Sequence, residues 1–388
     1  MSVETITLGC RLNFAESETI ARSAPADEDW IVVNSCAVTS EAVRQTRQSI
    51  RRAHRQRPDA KILVTGCAAE LDPSTFRTMP GVARVTRNTN KLNSLSANDV
   101  MPPVPAGFMG HVRSFVAIQT GCDHRCTFCS IWQARGPSVS LPFGAIRDAV
   151  ERELNRGAKE IVLTGVDITD YAGGLGMLCQ RLLTAVPRME RLRLSSLDSI
   201  EIDDALIELM AGEPRLMPHF HLSLQAGDDL ILKRMKRRHN RADAVHAVAR
   251  IKSARPDATV GADLIAGFPT ETEEMAANTL KLLDDCDVIA AHIFPFSPRP
   301  STPAARMPQV EREVVKARAA RLRGAAAVRR SHWLDSLMGT TQPVLIENHG
   351  KGHTNGFAPV ALSGAARGDA GLARIVGRTD DLLKAVWA

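Results

Sequence analysis

Three cysteines lie within eight residues of the segment "GCDHRCTFCSI", at Cys122, Cys126 and Cys129. Thiolates bind metal centres, and a 4Fe-4S cluster needs four ligands. Three cysteines at the spacing C-x3-C-x2-C would therefore leave one iron of such a cluster open to a small molecule. The alternative is a zinc site with His124 as the fourth ligand. Structural zinc sites usually pair two short cysteine arms across a longer loop, and no second arm follows here.

A second group of three cysteines, Cys10, Cys36 and Cys67, is spread over the N-terminal part of the chain. Each follows a short apolar run, in "TITLGC", "WIVVNSC" and "KILVTGC". Helical segments separate these runs, and such alternation predicts a small parallel sheet. Because neighbouring parallel strands end at one edge, the three thiols are expected within reach of one cluster. Alternatively, they are buried thiols that happen to end strands.

The composition is that of a soluble globular protein of two or three domains, with 388 residues, 44% hydrophobic and 24% charged. Eight cysteines are too few for a disulfide scaffold of this length. Neither a secretory signal nor an apolar run long enough for a bilayer is evident, so we expect a cytoplasmic protein without a membrane partner. The net charge of +6 favours an acidic partner such as nucleic acid.

The middle of the chain contains about six strand candidates separated by helical segments. This pattern predicts a complete or partial barrel with its active site at the carboxyl ends of the strands, and Cys122 follows the first of them. A long helix, 311–338, precedes short strands with glycine turns that suit a small β-barrel. We therefore predict an α/β protein with an N-terminal domain (1–100), a partial (βα)6 barrel (108–335) and a C-terminal β-barrel (336–388), the first two joined by a proline-rich connection.

The motifs "TLGCRLN", "VVNSCAVT" and "VTGCAAE" around the N-terminal cysteines, together with C-x3-C-x2-C after a first barrel strand, resemble the methylthiotransferase family of radical S-adenosylmethionine (SAM) enzymes. The resemblance spans essentially the whole chain. It implies a parallel N-terminal cluster domain, a radical SAM barrel and a C-terminal TRAM domain that binds RNA. It also implies two 4Fe-4S clusters, one held by Cys10, Cys36 and Cys67 and one by Cys122, Cys126 and Cys129.

In this family, SAM binds the open iron of the barrel cluster and is cleaved to a 5′-deoxyadenosyl radical, while the N-terminal cluster carries the sulfur to be inserted. The resemblance and the glycine-containing strand ends predict the SAM-binding residues, since glycine lets backbone approach a cofactor closely. They are Phe128, Thr164, Gly165, Asp167, Ser223, Gln225, Gly261, Asp263 and Gly267. Apart from the cluster ligands, no catalytic residue is predicted. Phe128 is alternatively a plain loop anchor.

The segment "KRMKRRHNR" contains six basic residues and no acid, just after the fourth barrel strand. Such a patch neutralises phosphates near a pocket, although charged helices are often only solvated faces. The predicted RNA-binding residues are Lys233, Arg234, Lys236, Arg237, Arg238 and Arg241.

Within the family, "GCRLN", "SSLD", "SLQAGDD" and "SPRPSTPAARM" are most similar to members that methylthiolate carbon 2 of N6-threonylcarbamoyladenosine beside the tRNA anticodon. The expected partners are the tRNA anticodon loop, a sulfur donor and an electron donor of flavodoxin or ferredoxin type. Family members that modify isopentenyladenosine in tRNA or a ribosomal protein aspartate are alternatives. An alternative of another class is a non-catalytic zinc protein that binds RNA.

Overall fold

The structure is a computed structural model that describes residues 3–24, 28–95, 104–107 and 111–388. The predicted domain boundaries at residues 100 and 108 lie outside the described residues, as does most of the proline-rich connection between them. In the described part of the chain, no helix combines the length and apolarity needed to cross a membrane.

The N-terminal part forms a four-stranded parallel sheet in the order β1-β2-β3-β4. Every residue of β2 is buried, because helices cover both faces of the sheet. Val33 and Val64 pack with Ile50 of α2 on one face, and Val32 and Leu63 pack with α1 on the other. The elements are β1 (Glu4–Thr7), α1 (Arg11–Ser23), β2 (Trp30–Ser35), α2 (Ser40–Gln56), β3 (Lys61–Gly66), α3 (Cys67–Leu71), α4 (Pro73–Arg77) and β4 (Val82–Val85).

The middle part is a partial barrel of six parallel strands in the order β6-β9-β10-β11-β12-β13, with β5 antiparallel beside β6. Single bridges join β10 and its following loop to the β11 side, which connects two sheets into one curved wall. The elements are β5 (Ala106–Gly107), β6 (Arg113–Ala117), β7 (Gln119–Thr120), α5 (Ile131–Arg135), β8 (Val139–Ser140), α6 (Phe143–Asn155), β9 (Glu160–Thr164), α7 (Leu175–Ala185), β10 (Leu192–Leu194), α8 (Asp204–Gly212), β11 (His219–Gln225), α9 (Asp229–Met235), α10 (Arg241–Ala254), β12 (Thr259–Ala266), α11 (Glu273–Asp285), β13 (Val288–Pro295) and α12 (Arg312–Ser336).

Residues on the barrel strands alternate between two environments. Apolar residues such as Val116, Ile161 and Leu264 face the surrounding helices and form the largest core cluster. Their neighbours in sequence face the interior, which we name the lumen, and many of them are polar. The lumen-facing polar residues that the following sections use are Arg113, Glu160, Arg193, His219, His221, Thr259, Asp263 and His292.

The N-terminal domain lies against the two edges of this partial barrel. On the β6 side, Phe14 of α1 packs edge-on against Phe115, with ring centroids 5.2 Å apart. On the β13 side, the hydroxyls of Ser40 and Ser297 lie 3.2 Å apart. The N-terminal domain therefore spans the gap between the first and last strands of the barrel.

The C-terminal strands close a barrel in the order β14-β15-β16-β18-β17. Phe357 of this barrel stacks on His219 at the start of β11, with a centroid distance of 5.2 Å, and receives the guanidinium of Arg193 at 4.8 Å. The small barrel thus packs against the amino ends of the large-barrel strands. The predicted α/β fold class is confirmed. The strands are β14 (Thr341–Asn348), β15 (Lys351–Thr354), β16 (Pro359–Leu362), β17 (Ala370–Thr379) and β18 (Leu382–Trp387).

Candidate active site between two cysteine triads

The C-x3-C-x2-C loop begins with a glycine that no other residue could replace without rearrangement. Gly121 has φ +75°, and a Cβ atom built on it would lie 1.7 Å from the carbonyl oxygen of Pro137. This close approach lets the amide of Cys122 donate to the carbonyl of Gly136 at 3.1 Å. The loop is therefore closed on itself at its base, which positions its three thiols at the carboxyl end of the first barrel strand.

Each thiol of this barrel triad has a polar neighbour. The amide of Ile131 donates to Cys129 Sγ at 3.3 Å, and the guanidinium of Arg237 lies 3.7 Å from Cys126 Sγ. Asp167 Oδ2 lies 3.9 Å from Cys122 Sγ. The backbone amide of His124 is also directed at Cys122, so each of the three sulfurs has an N–H donor.

The N-terminal cysteines are close enough to interact electrostatically with one another. Cys36 and Cys67 directly follow β2 and β3, as expected. Cys10 differs from the prediction, since β1 ends at Thr7 and Cys10 instead caps α1. Gly9, at φ +96°, lies in the turn between β1 and α1, and a Cβ built on it would lie 2.8 Å from Cys36 Sγ. We call these three residues the N-terminal triad.

Arg135 joins the two triads. It lies at the end of α5, which begins two residues after Cys129, and its Nε donates to Cys67 Sγ at 3.4 Å. Its Nη1 forms an ion pair with Glu16 Oε1 at 2.6 Å, and Lys91 also pairs with Glu16. All three charged side chains are at least 95% buried. Cys129 is itself within electrostatic reach of Cys67, so the triads are adjacent.

The donor sets fit iron–sulfur clusters better than zinc. A zinc ion with bonds of about 2.3 Å would hold its sulfurs about 3.8 Å apart. Among the described residues, neither triad has its three sulfur atoms all within 4.8 Å of one another. Burial raises the pKa of Cys36 to about 11 and that of Cys122 to about 12. Metal ions bind the deprotonated thiolate, so the free energy of coordination must offset the cost of ionising these buried thiols.

His124, the proposed fourth zinc ligand, belongs to an acidic cluster instead. Its ring nitrogens lie 3.5 Å from Asp167, 3.7 Å from Asp198 and 3.6 Å from Glu201. A contact with Glu201 and the charge of Asp167 raise the pKa of His124 despite burial. A ring nitrogen of His124 lies within 4.8 Å of Cys122 Sγ, but among the described residues no group with such short distances joins His124 to Cys126 and Cys129. This argues against a zinc site of three cysteines and one histidine.

Three predicted SAM-binding residues lie together beside the barrel triad. Thr164 ends β9, and the loop that follows contains Gly165 and Asp167. Gln119 Oε1 accepts from the amides of Val166 and Asp167 at 3.0 and 2.9 Å, so Gln119 holds this loop in place. Burial, chiefly, and the nearby charge of Glu201 raise the pKa of Asp167 to about 6.

Phe128 and the last residues of β11, Ser223 and Gln225, lie at the same end of the barrel. Phe128 packs edge-on against Phe268, with centroids 6.5 Å apart, so a packing role exists for it besides any contact with a cofactor. Ser223 accepts from Arg237 through its carbonyl at 2.9 Å. Gln225 has φ +68° at the end of β11, a strained conformation of the kind that concentrates at functional sites.

The three predicted residues of the β12 region are separated along the strand. Gly261 and Asp263 lie within β12, in the lumen, where a Cβ on Gly261 would come within 2.5 Å of His221 Nδ1. Asp263 accepts from His221 at 2.9 Å and from His292 at 3.2 Å. Gly267 instead faces α12, since a Cβ there would lie 2.5 Å from Val315. Its small size is explained by helix packing and not by approach to a cofactor.

The basic segment divides into internal and exposed members. Arg237 is a correction to the RNA-binding prediction, since it is buried and pairs with Asp198 at 2.8 Å. Arg241 is likewise engaged, because it donates to the carbonyls of Gly227 and Asn278. Arg234 donates to a loop carbonyl, and Arg238 pairs with Glu201. Lys233 and Lys236 are exposed.

Sequence reasoning missed several residues of the site. Arg135 and Glu16 had no signal beyond being charged residues near cysteines. His221 carried a signal, since it alternates with apolar residues on a strand, but such histidines are commonly packing residues. Arg11 follows Cys10 directly, and the structure places its guanidinium within electrostatic reach of Glu160 and Asp263 in the lumen.

Two family models match the chain. The Radical SAM superfamily matches residues 116–283, and uncharacterized protein family UPF0004 matches residues 2–86. These ranges contain the barrel triad and the N-terminal triad respectively.

Among curated proteins, the chain is 43% identical to threonylcarbamoyladenosine tRNA methylthiotransferase MtaB of Rickettsia prowazekii, over 99% of this chain and 97% of the relative. It is 33% identical to the MtaB protein of Thermotoga maritima, over 79% of this chain and 77% of the relative. It is also 32% identical to tRNA-2-methylthio-N(6)-dimethylallyladenosine synthase of Erythrobacter litoralis, over 89% of this chain and 86% of the relative.

Among solved structures, the fold is similar to the radical SAM methyltransferase TsrM of Kitasatospora setae, with a TM-score of 0.55 and 14% identity, over 75% of this chain and 66% of that one. The cobalamin-dependent S-adenosylmethionine radical enzyme OxsB is also similar, with a TM-score of 0.51 and 10% identity, over 85% of this chain and 56% of that one. These two likenesses concern the fold alone. The full-length match to MtaB, with both cysteine triads inside matched family regions, shows that the chain belongs to the methylthiotransferase family of radical SAM enzymes.

Proposed function

We propose that this enzyme transfers a methylthio group to carbon 2 of N6-threonylcarbamoyladenosine next to the tRNA anticodon. The observation that carries the proposal is the adjacency of the two cysteine triads, joined by Arg135. Two metal centres side by side suit a reaction that needs both a radical source and a sulfur carrier. The full-length similarity to the MtaB proteins supports the choice of nucleoside.

The cofactors of the family are 4Fe-4S clusters and SAM. When bound, they supply the radical and the sulfur that an unactivated aromatic C–H bond requires. The barrel triad would hold one cluster and the N-terminal triad the other. The protein's part is to position these groups and to exclude water.

Several side chains perform that positioning. Arg135 and Arg237 direct N–H donors at the sulfur atoms of Cys67 and Cys126, which orients one thiol in each triad. Gln119 fixes the backbone of the loop that contains Asp167, and this loop is proposed to contact SAM together with Thr164 and Gly165. Ser223, Gln225 and Phe128 are proposed to complete the SAM site on the opposite side.

The tRNA is proposed to reach the site over the exposed basic residues Lys233 and Lys236. A base in the anticodon loop is already largely unpaired, so presenting its edge to the barrel costs little compared with opening a duplex. The C-terminal barrel is proposed to add RNA contacts. We further propose a flavodoxin- or ferredoxin-type electron donor, a separate sulfur donor, and the cytoplasm as the location, since tRNA is modified there.

Nucleoside analysis of a deletion strain tests the proposal. Mass spectrometry of total tRNA should show that 2-methylthio-N6-threonylcarbamoyladenosine is lost and its unmethylthiolated precursor accumulates. Loss of the methylthiolated isopentenyl nucleoside instead would assign the enzyme to that substrate. Unchanged tRNA nucleosides would exclude both and direct attention to a protein substrate. A colourless purified protein containing stoichiometric zinc would favour the non-catalytic alternative.

A further inference from the structure

Arg11 introduces a positive charge into the lumen from outside the barrel. It is the first residue of α1, directly after Cys10, and α1 packs along the β6 edge through Phe14 and Phe115. The guanidinium is within electrostatic reach of charged residues on four different barrel strands. These are the cations Arg113 of β6 and Arg193 of β10 and the anions Glu160 of β9 and Asp263 of β12.

Among the described residues, Arg11 has no side-chain hydrogen bond and no ion pair, whereas the other lumen charges are paired. Arg193 pairs with Glu160 at 2.7 Å, and Arg113 pairs with Glu347 at 2.8 Å. Asp263 is occupied by His221 and His292. Arg11 therefore offers N–H donors that no acidic side chain in the described part of the chain uses.

Arg11 is half-buried, and its guanidinium has no acceptor side chain among the described residues. Water can satisfy its N–H donors in the free protein, and a ligand that enters the lumen can replace this water with an acceptor of its own. Such a group is expected where a ligand supplies the acceptor. Carboxylates suit this role, since a guanidinium binds them through two parallel N–H donors. The unused donors thus indicate an anionic group on whatever enters the lumen.

The substrates of the two kinds of tRNA-modifying relative differ in this respect. A threonylcarbamoyl group on N6 ends in a carboxylate, whereas a dimethylallyl group carries no charge or hydrogen-bonding atom. We propose that Arg11 binds the carboxylate of the threonylcarbamoyl group and so selects this nucleoside. The inference rests on the proposed function and deepens it by assigning a specificity residue.

The position of Arg11 in the chain suits this role. Cys10 belongs to the triad assigned to the sulfur-carrying cluster, and carbon 2 and N6 lie on the same edge of the adenine ring. A base whose carbon 2 faces that triad presents its N6 substituent to the neighbouring residues. Arg11 is one of them, and its side chain extends into the lumen.

Binding of three anticodon stem-loops to the cluster-loaded wild-type enzyme tests the inference by fluorescence anisotropy. The stem-loops carry threonylcarbamoyladenosine, its neutral methyl ester, or unmodified adenosine at the target position. We expect the free carboxylate to bind about 10- to 100-fold tighter than the ester, as for a charge-assisted hydrogen-bonded pair. Equal affinity of the wild type for acid and ester would overturn the inference, whatever any variant does.

The variant Arg11→Gln should lose the preference for the acid and leave the affinity for the other two stem-loops unchanged. Arg11→Lys keeps a positive charge but lacks the planar guanidinium with its two parallel donors, so it should retain part of the preference for the acid. Arg152→Gln removes an exposed arginine on α6 and is the matched control, expected to bind like the wild type. An equal loss for all three stem-loops in Arg11→Gln would mean that Arg11 binds RNA phosphate and would contradict the proposal.

Failure of the inference is distinguishable from failure of the proposed function. If the deletion strain loses the methylthiolated threonylcarbamoyl nucleoside but the wild-type enzyme ignores the carboxylate, only the role of Arg11 is wrong. If that nucleoside is unchanged in the deletion strain, the proposed substrate falls and the role of Arg11 falls with it.

Discussion

At the scale of single residues, the site depends on charges that are buried and shared. Glu16 accepts from both Arg135 and Lys91, and Arg135 in turn donates to Cys67. Burial alone would raise the pKa of Glu16, but the two cations hold it below its usual value. Removing one partner of such a group leaves an uncompensated buried charge, which is much more destabilising than losing an exposed pair.

Serine substitutions separate the two metal centres. We expect the wild type to bind about eight irons per chain and Cys67→Ser about four, because only the N-terminal centre loses a ligand. Cys67→Ser should still cleave SAM, whereas Cys126→Ser should not. Iron analysis and detection of 5′-deoxyadenosine measure these outcomes. Cys179→Ser, at a buried cysteine within α7, is the control and should keep all eight irons; a Cys67→Ser protein with full iron content would contradict the assignment.

Glu160 gives a prediction about acid stability. Burial raises its pKa, but Arg193 and Arg191 outweigh burial and lower it to about 2, from a usual 4.5. Because the folded-state pKa lies below the unfolded-state value, the stabilisation is complete above about pH 5 and is lost as the pH falls towards 2. Glu160→Gln should therefore lower the free energy of unfolding by about 3 kcal/mol at pH 7.

Urea unfolding of both proteins at pH 7, 5 and 3.5 checks this expectation. The difference in stability should be similar at pH 7 and 5 and smaller at pH 3.5. Glu208→Gln, which removes an exposed carboxylate of α8, should change stability by less than about 0.5 kcal/mol. A difference that grows on acidification would show that Glu160 is not held ionised by the arginines.

Residue-level prediction is more specific where a side chain's chemistry is rare than where it is common. Cysteines are few in this chain, so their spacing is informative, and their assignment as cluster ligands stays a prediction. Arg237 belongs to a run of basic residues that indicates phosphate binding, yet its burial against Asp198 depends on how the loop after α9 and the loop after β10 meet. No local pattern reports such a pairing, since its two members lie 39 residues apart.

At the scale of elements, the tight base of the cysteine loop determines where the barrel triad lies. Gly121→Ala should destabilise the protein by about 3 kcal/mol or more and reduce iron in the barrel centre, because the new Cβ would overlap the carbonyl of Pro137. Iron content and thermal unfolding measure the effect.

Gly144→Ala is the matched control for that substitution. Gly144 lies within α6, and nothing lies within 4 Å of a Cβ built there. Alanine is the better helix former, so this variant should be neutral or more stable by about 0.5 to 1 kcal/mol. If Gly121→Ala behaved in the same way, the loop would be more adaptable than its geometry indicates.

The sequence patterns predicted most elements closely, because apolar periodicity and capping residues act locally. The predicted helix 311–338, for example, corresponds closely to α12 (Arg312–Ser336). Cys10 was placed at the end of a strand but caps α1, since "LG" adds a turn that strand periodicity does not reveal. The polar lumen could not be foreseen either, because it depends on which face of each strand points inward when six strands curve together.

At the scale of the whole molecule, Phe357 fastens the C-terminal barrel to the amino ends of the large-barrel strands. Its ring lies between His353 and His219, and two arginines approach its faces. Phe357→Ala should lower stability by about 2 kcal/mol and make the junction at 337–340 more sensitive to proteases. Leu372→Ala, at an exposed position of β17, is the control. Unchanged proteolysis in Phe357→Ala would mean that other contacts hold the domain.

The bridge formed by Arg135 has a consequence for biosynthesis. The N-terminal cysteines leave the ribosome long before Arg135 does, so during translation they lack the guanidinium that later donates to Cys67 and pairs with Glu16. Stable iron insertion at that site should therefore wait until the loop of the second domain has been synthesised and docked. Maturation of the two centres is thereby ordered in time by one side chain.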